Sequence, residues 1–247
     1  MSRKYCHTLA APQPPTYAQW VELIYHGHSC WELAAGSRLL FDPFLADNSP
    51  TADVGPDHFD RLDAIVVTHA HGDHVADVEA IAKRTGAMVV ANFEIAGYFA
   101  ERGCTSHGLH VGGGHEFEFG AVKLTIAHHG STTPDGVTLG QPCGAVVAVE
   151  GKRVYHAGDT GVFLDMQLIA ELNGPLDVAL LPIGDNFTMG IADAVKATEL
   201  LDARMHLPMH FGTFPLIDVD PQEFVQRVEG AGRSARALRP GEGYTIP

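Results

Sequence analysis

A cluster of three histidines and one aspartate follows directly after a short apolar run, and this arrangement constrains the fold more than any other feature. The apolar run is Ala-Ile-Val-Val at residues 64–67, and the cluster is T-H-A-H-G-D-H at residues 68–74. A short continuous apolar run is typical of a strand that is buried on both faces. Imidazole nitrogens and carboxylate oxygens are good ligands for Zn²⁺ and similar ions. The sequence therefore predicts metal ligands at the carboxyl end of a buried strand.

The spacing within the cluster predicts two neighbouring metal positions. Side chains at positions i and i+2 of an extended chain point the same way, so His69 and His71 can lie side by side. Asp73 and His74 then fall at the start of the following helix and face the same cleft, displaced from the first pair. A structural zinc site would need closure by cysteines, which this stretch lacks.

Three later predicted strands are each followed by one more candidate ligand. In α/β sheets, ligand sites gather at the carboxyl ends of the strands, so these side chains are expected to meet the cluster. The three candidates are His129, Asp159 and His210.

The order of the predicted elements is that of an α/β protein. Strands and helices alternate in the first half of the chain, a β-rich centre follows at residues 116–156, and helices return towards the C-terminus. This alternation predicts a mixed or mainly parallel sheet. No repeat or linker divides the chain, so residues 20–247 are predicted to form one domain, preceded by a proline-containing N-terminal arm at residues 1–19.

The charge of the chain limits its partners. The formal net charge is −14, which argues against nucleic acid or an anionic membrane, because both bind basic surfaces. Two divalent ions would add about four positive charges to one cleft, so the net charge does not exclude an anionic small-molecule substrate.

The expected location is the cytoplasm. No apolar run approaches the roughly 18 residues of a membrane span, and the N-terminus lacks the apolar segment of a secretion signal. The cysteines form no C-x-x-C pair, which is typical of free thiols in a reducing compartment; they are Cys6, Cys30, Cys104 and Cys143.

The full ligand pattern resembles that of the metallo-β-lactamase superfamily, whose mark is H-x-H-x-D-H followed by a lone histidine, a bridging aspartate and a terminal histidine. More narrowly, the chain is similar to the UPF0173 group of metal-dependent hydrolases, which are related to ascorbate-6-phosphate lactonases. The stretches that carry this resemblance are G-H-S-C at 27–30, Y-H-A-G-D-T-G at 155–161, L-P-I-G-D-N-F-T-M-G at 181–190 and P-M-H at 208–210. The resemblance runs from about residue 21 to the C-terminus. It implies a four-layer αββα sandwich, in which two mixed β-sheets are flanked by helices.

The resemblance also implies a role for each ligand. His69, His71 and His129 would hold a first divalent ion, Asp73, His74 and His210 a second, and Asp159 would bridge them. Zn²⁺ is the expected metal, with Mn²⁺ or Fe²⁺ as alternatives that suit the same ligands.

The adjacent residues His128 and His129 leave a choice, since neighbours in an extended chain point to opposite faces and only one can serve. The family pattern favours His129. Five other residues are weaker candidates for supporting a ligand or contacting substrate, and they are His28, Asp42, His156, Asn186 and Thr188.

The expected activity is hydrolysis. Water between two divalent ions loses a proton near neutral pH, and the bridging hydroxide would attack a small lactone, ester, amide or phosphoester. Asp73 would be the catalytic residue that orients this hydroxide and carries a proton to the leaving group. The alternatives are a phosphodiesterase or nuclease, an iron-dependent dioxygenase of the same fold, and a non-enzymatic metal-binding protein. Proteins of this fold often form oligomers, so a homo-oligomer is a further alternative to a monomer.

Overall fold

The structure is a computed structural model that describes residues 20–247. The predicted N-terminal arm, residues 1–19, lies outside the described residues. The strands are β1 (Val21–Gly27), β2 (Cys30–Ala34), β3 (Arg38–Phe41), β4 (Ala64–Val66), β5 (Met88–Asn92), β6 (Ser106–Leu109), β7 (Gly114–Phe117), β8 (Gly120–Ile126), β9 (Cys143–Val149), β10 (Lys152–His156), β11 (Val178–Pro182), β12 (Met205–Met209) and β13 (Gly243–Ile246). The helices are α1 (Gly72–Val75), α2 (Val78–Thr85), α3 (Phe93–Glu101), α4 (Met166–Asn173), α5 (Ile191–Leu201) and α6 (Pro221–Gly230).

The strands form two mixed sheets with flanking helices, as the resemblance to the metallo-β-lactamase superfamily implied. The first sheet has seven strands in the order β13-β1-β2-β3-β4-β5-β6, and β3 to β6 are parallel. The second has six strands in the order β12-β11-β10-β9-β8-β7, of which β10 to β12 are parallel. Parallel strands end at the same edge of their sheet, so both sheets can direct ligands towards a common site.

Strand β4, which precedes the histidine cluster, is buried on both faces. Ala64 and Val66 pack in the apolar core between the sheets, whereas Ile65 and Val67 pack in a second core with residues of α2 and α3. All four are fully buried. The uninterrupted apolar run is therefore explained by two cores that meet at one strand.

Residues 75–85 have the apolar spacing of one continuous helix, but the structure interrupts it. Helix α1 ends at Val75, and α2 begins at Val78. Asp77, at the break, accepts hydrogen bonds from the Leu45 backbone N–H (2.7 Å) and the Asn48 side chain (2.9 Å). These long-range contacts tie the break to the loop before β4, which the helical pattern could not indicate.

Two strands also differ from what the sequence pattern indicates. The pattern indicates a strand at 116–119, whereas β7 lies at Gly114–Phe117, because residues 118 and 119 form the hairpin turn and Gly120 opens β8 with φ +133°. Strand β6 was not predicted. Its sequence, Ser-His-Gly-Leu, has no apolar alternation because it pairs only with β5 at the edge of the first sheet.

None of the helices in residues 20–247 has the length and apolar composition that a membrane crossing requires.

Candidate metal centre

The structure brings all seven predicted ligands together at the ends of four strands. His69, His71, Asp73 and His74 follow β4, and the others follow β8, β10 and β12. Six of the seven, together with His28 and Asp42, fall in groups whose donor atoms lie within 4.8 Å of one another, and the Asp159 carboxylate lies 2.9–3.8 Å from four of the histidines. The residues that the later strands contribute are His129, Asp159 and His210.

The first cluster consists of three histidines and one oxygen of Asp159. Nδ1 of His71 lies 3.1 Å from Nε2 of His69 and 3.2 Å from Nε2 of His129. Oδ2 of Asp159 lies 3.5 Å from Nε2 of His129 and 3.8 Å from Nε2 of His69. Ligands of a tetrahedral Zn²⁺ at about 2.0–2.1 Å are spaced by roughly 3.3 Å. These four atoms therefore have the spacing of one coordination sphere.

The second cluster shares Asp159 with the first. Its Oδ1 lies 3.4 Å from Nε2 of His74, and its Oδ2 lies 2.9 Å from Nε2 of His210. Oδ2 of Asp73 lies 3.8 Å from the same nitrogen of His210. Asp159 is thus the residue that contacts both clusters, which is the position required of a bridging carboxylate.

Several atoms at this centre are buried without a hydrogen-bond partner among the described residues. They include Nε2 of His74, Oδ1 of Asp159 and both ring nitrogens of His210. A buried polar group that lacks a partner costs about 1–3 kcal/mol. Polar groups inside proteins are rarely left in this state. Nε2 of His74 and Nε2 of His210 lie beside the Asp159 carboxylate, and a divalent cation would take the lone pairs of these nitrogens and of Oδ1 as ligands.

Asp42 orients two of the ligand histidines. Its carboxylate accepts hydrogen bonds from Nδ1 of His74 (2.8 Å), the Thr68 hydroxyl (2.6 Å) and the Thr68 backbone N–H (2.8 Å). The Thr68 hydroxyl donates to Asp42, so it can accept from Nδ1 of His69 at 3.0 Å. Both histidines then keep a proton on Nδ1 and offer Nε2 to a cation. Asp42 is therefore placed to orient two candidate ligands, and it acts on His69 through Thr68, a residue that no sequence pattern singles out.

His28 orients Asp73 in the way that Asp42 orients the histidines. Its Nε2 donates to Oδ2 of Asp73 (3.1 Å), and its Nδ1 accepts from the Thr213 hydroxyl (2.9 Å). The backbone N–H of His210 donates to the His28 carbonyl at 2.7 Å. His28 is fully buried, so these contacts fix the position of Asp73 at the edge of the cleft.

Three residues of the centre adopt a left-handed backbone conformation, which disfavours side chains other than glycine. These are His28 (φ 53°), Asp42 (φ 40°) and His210 (φ 55°). Such conformations cost about 1–3 kcal/mol each and persist where surrounding contacts enforce them. Backbone strain of this kind clusters at functional sites, and here it aims three polar side chains at one centre.

The remaining candidates do not contact the metal ligands. His156 donates from Nε2 to the Ser29 carbonyl (3.0 Å) and accepts the Gly158 N–H (3.1 Å), so it stabilises the turn before Asp159. Asn186 and Thr188 bond within their own loop. The side chain that this loop contributes to the cleft is Phe187.

Burial and charge control protonation at the centre. Burial is the main factor that lowers the pKa of His69, His71 and His129, which keeps them neutral and able to bind a metal. Burial also acts on His74 in this direction, but the carboxylates of Asp159, Asp42 and Asp73 outweigh it and raise its pKa well above the usual value. The negative charge around His74 favours a bound cation, which would replace the proton on Nε2.

The centre opens into a cleft of about 440 Å³, a size suited to a small ligand. Five of its lining residues are predicted ligands: His71, Asp73, His129, Asp159 and His210. The other three are Phe187, Phe214 and Leu216, whose apolar side chains do not stand out in the sequence as polar candidates for a site do. The sequence feature that could have indicated Phe187 is its position inside the glycine-flanked loop at 184–190.

The structure places His129, not His128, at the centre. The exposed ring of His128 packs edge-on against Phe163, with centroids 4.9 Å apart. We expect His129→Ala to reduce bound metal and to lower activity by more than the roughly 10–100-fold that loss of an outer hydrogen-bond partner costs. His128→Ala is the matched control and should retain both metal and activity. Metal analysis of the two purified variants checks this, and metal loss in His128→Ala alone would reverse the assignment.

Comparisons with known proteins agree with this geometry. A family model described as the beta-lactamase superfamily domain matches residues 37–211. The UPF0173 metal-dependent hydrolase of Geobacillus sp. (strain WCH70) is 47% identical over 232 residues, which cover 92% of this chain and 100% of that protein.

Two solved structures extend the comparison to the fold. Igni18, a metallo hydrolase from the hyperthermophilic archaeon Ignicoccus hospitalis, has a TM-score of 0.85 and 39% identity, and the match covers 92% of this chain and 99% of that one. The metallo-β-lactamase fold protein YhfI from Bacillus subtilis has a TM-score of 0.69 at 12% identity, over 92% and 99% of the two chains. The second likeness concerns the fold alone.

Proposed function

Because this chain belongs to the UPF0173 group of metal-dependent hydrolases in the metallo-β-lactamase superfamily, we propose that it hydrolyses a small lactone, ester, amide or phosphoester at a centre of two divalent ions. The family supplies the enzyme class and the dependence on metal. The observation that carries the two-ion proposal is the Asp159 carboxylate, which contacts two histidine clusters and lies among buried polar atoms without partners.

Each cluster has a complete set of ligands for one ion. His69, His71 and His129 would hold the first ion, and Asp73, His74 and His210 would hold the second, with Asp159 shared between them. Divalent ions in such a centre lower the pKa of water and polarise the scissile carbonyl or phosphoryl group. Zn²⁺ is the first expectation, and Mn²⁺ or Fe²⁺ suits the same ligands.

Asp73 is the proposed catalytic residue. Burial alone would raise its pKa, but the charge of His74 and the hydrogen bond from His28 lower it, so the carboxylate is ionised at neutral pH. It lines the cleft and can accept a hydrogen bond from the attacking water. His28 fixes the orientation of this carboxylate, which would take a proton from the attacking water and deliver it to the leaving group.

The alternative of a nuclease or phosphodiesterase lacks a matching surface. Among residues 20–247, neither lysine nor arginine lines the cleft, whereas polynucleotide binding depends on such side chains.

Metal analysis and a substrate screen test the proposal together. After reconstitution, the protein should bind about two ions per chain, because the ligands form two sets that share one carboxylate. The metal-loaded enzyme should hydrolyse members of a panel of lactones, esters, amides and phosphoesters, and a chelator should abolish this activity. Absence of bound metal after reconstitution with Zn²⁺, Mn²⁺ and Fe²⁺ would refute the two-ion centre.

A further inference from the structure

One wall of the cleft consists of three large apolar side chains, Phe187, Phe214 and Leu216. Phe187 is 51% exposed and Leu216 is 65% exposed. Every polar side chain that lines the cleft is one of the proposed metal ligands. The parts of a substrate that lie away from the scissile bond would therefore meet apolar surface, which is how small-molecule sites usually gain affinity.

The loop that carries Phe187 is a tight turn with its own hydrogen bonds. Asp185 and Asn186 are both left-handed, with φ 62° and 48°. The Asp185 N–H donates to the Met189 carbonyl (3.0 Å), and the Thr188 N–H donates to the Asp185 carbonyl (3.2 Å). A bridge between Gly184 and Gly190 closes the loop. The backbone thus fixes Phe187 at the tip, facing the cleft.

The loop that carries Phe214 and Leu216 is equally constrained. The Gly212 N–H donates to the Ile217 carbonyl (2.8 Å), and the Ile217 N–H donates to the Phe214 carbonyl (3.0 Å). The Phe214 ring packs against His28 and Phe44, with centroids 5.6 and 6.3 Å away. This wall is therefore anchored to a residue that positions Asp73.

The two loops also pack against each other at Gly184. A Cβ atom at this position would lie 2.2 Å from the His210 carbonyl oxygen and 2.9 Å from Cβ of Ile217, so only glycine allows the approach. The two loops consequently form one preorganised surface. Binding to a preorganised surface avoids the entropic cost of ordering a mobile loop.

Charge adds a second constraint on the substrate. Within the described residues, the cleft has no lysine or arginine in its lining, and it includes the carboxylates of Asp73 and Asp159. The positive charge of bound metal would be engaged by the scissile group. A second anionic group on the substrate would therefore lack a cationic partner, and its desolvation would be uncompensated.

We propose that the cleft selects neutral substrates in which an aromatic or branched apolar group lies next to the scissile carbonyl, and that Phe187 and Leu216 determine this preference. The proposal rests on the proposed hydrolase function and narrows its substrate class from the anionic or neutral molecules that the sequence allowed.

Binding of two hydroxamates separates the apolar contribution from turnover. Phenylacetohydroxamic acid and acetohydroxamic acid share the same metal-chelating group and differ in the phenyl ring. In protein reconstituted with Zn²⁺, calorimetry should find that the phenyl compound binds at least about tenfold more tightly, the usual worth of an apolar contact in a pocket. Phe187→Ala and Leu216→Ala should each remove most of this difference.

Leu172→Ala is the matched control, because Leu172 is 71% exposed and lies on α4, outside the cleft lining. It should keep the wild-type affinity ratio. Circular dichroism checks that all three variants fold. Equal affinities of the two hydroxamates in the wild-type protein, no binding of the phenyl compound, or an unchanged ratio in both cleft variants would overturn the proposal.

Hydrolysis of two matched esters tests the charge preference. 4-Nitrophenyl butyrate and 4-nitrophenyl hemisuccinate have acyl chains of equal length, and only the second carries a terminal carboxylate. The neutral ester should have a kcat/KM at least about tenfold higher, and a preference for the anionic ester would overturn the proposal. If no ester, lactone, amide or phosphoester is hydrolysed but the hydroxamate ratio is as expected, the hydrolase function fails while the apolar selectivity of the cleft stands.

Discussion

Replacing Asp159 with alanine is expected to lower hydrolysis by about three orders of magnitude or more, because the variant loses the shared ligand of a metal-activated reaction. The carboxylate contacts both ligand clusters, at 3.5 Å from His129 and 3.4 Å from His74. Asp159 is 2% exposed, so water cannot replace the carboxylate as a ligand unless the surrounding side chains move. We expect the variant to retain less than the wild-type amount of metal in elemental analysis.

The fold should survive this substitution. Asp159 lies in the loop after β10, outside the helices and strands, and its carboxylate faces histidine side chains of the centre. Burial would raise the pKa of this carboxyl, but His210 and His74 lower it well below the usual value. In metal-free protein, removal of the carboxylate therefore takes away one of the counter-charges of His74, which keeps its hydrogen bond to Asp42. Far-ultraviolet circular dichroism should nevertheless match that of the wild-type protein.

Asp193→Ala is a suitable control, because Asp193 is an exposed residue of α5 that lies outside the centre. It should keep wild-type activity and metal content. An Asp159→Ala protein that binds metal and hydrolyses substrate like this control would show that the carboxylate does not bridge two ions.

The convergence of the candidate ligands was predictable from sequence because the physical rule behind it is simple. Polar side chains that directly follow buried strands converge at one edge of a sheet, and His129, Asp159 and His210 obey this rule. The fold, with its two mixed sheets and flanking helices, followed from the alternation of elements and from the family resemblance, and both were confirmed.

The surroundings of the ligands were less predictable, because they depend on contacts between distant segments. His156 is three residues from Asp159, but Gly158 with φ 62° turns the chain between them, and the His156 side chain bonds to the Ser29 carbonyl instead. Likewise, Asn186 and Thr188 were candidates for substrate contact because they are polar, yet the turn directs their neighbour Phe187 into the cleft. Sequence spacing alone carries no information about such turns.

Replacing Asp42 with asparagine is expected to weaken metal binding by about 10–100-fold, the usual effect of losing a group that orients a metal-binding histidine. The substituted amide keeps the size of the carboxylate, but one of its oxygens becomes an NH₂ donor. Oδ2 accepts from both Nδ1 of His74 and the Thr68 hydroxyl, while Oδ1 accepts from the Thr68 backbone. Whichever way the amide is oriented, at least one of these donors loses its acceptor.

The loss should spread to a second ligand, because Thr68 links Asp42 to His69. When the NH₂ group of the amide takes the place of Oδ2, the Thr68 hydroxyl loses its acceptor, and it can turn and donate to Nδ1 of His69. That change would place the His69 proton on Nε2, the nitrogen that faces the cluster. Asp42→Asn should therefore weaken both ion sites, although Asp42 is not a proposed ligand of either. Titration of metal-free protein with Zn²⁺ measures this effect.

Asp63→Asn provides the comparison that separates this effect from a general loss of stability. Asp63 also accepts a backbone hydrogen bond, from the N–H of Arg38 at 2.8 Å, but it lies before β4, at the opposite end of that strand from the histidine cluster. Both variants should unfold at lower denaturant concentration than the wild-type protein, because each loses a charged acceptor. Only Asp42→Asn should lose affinity for Zn²⁺. If Asp63→Asn weakened metal binding equally, the role of Asp42 would be to stabilise the fold, and the protonation of His69 and His74 would have to be controlled by other groups.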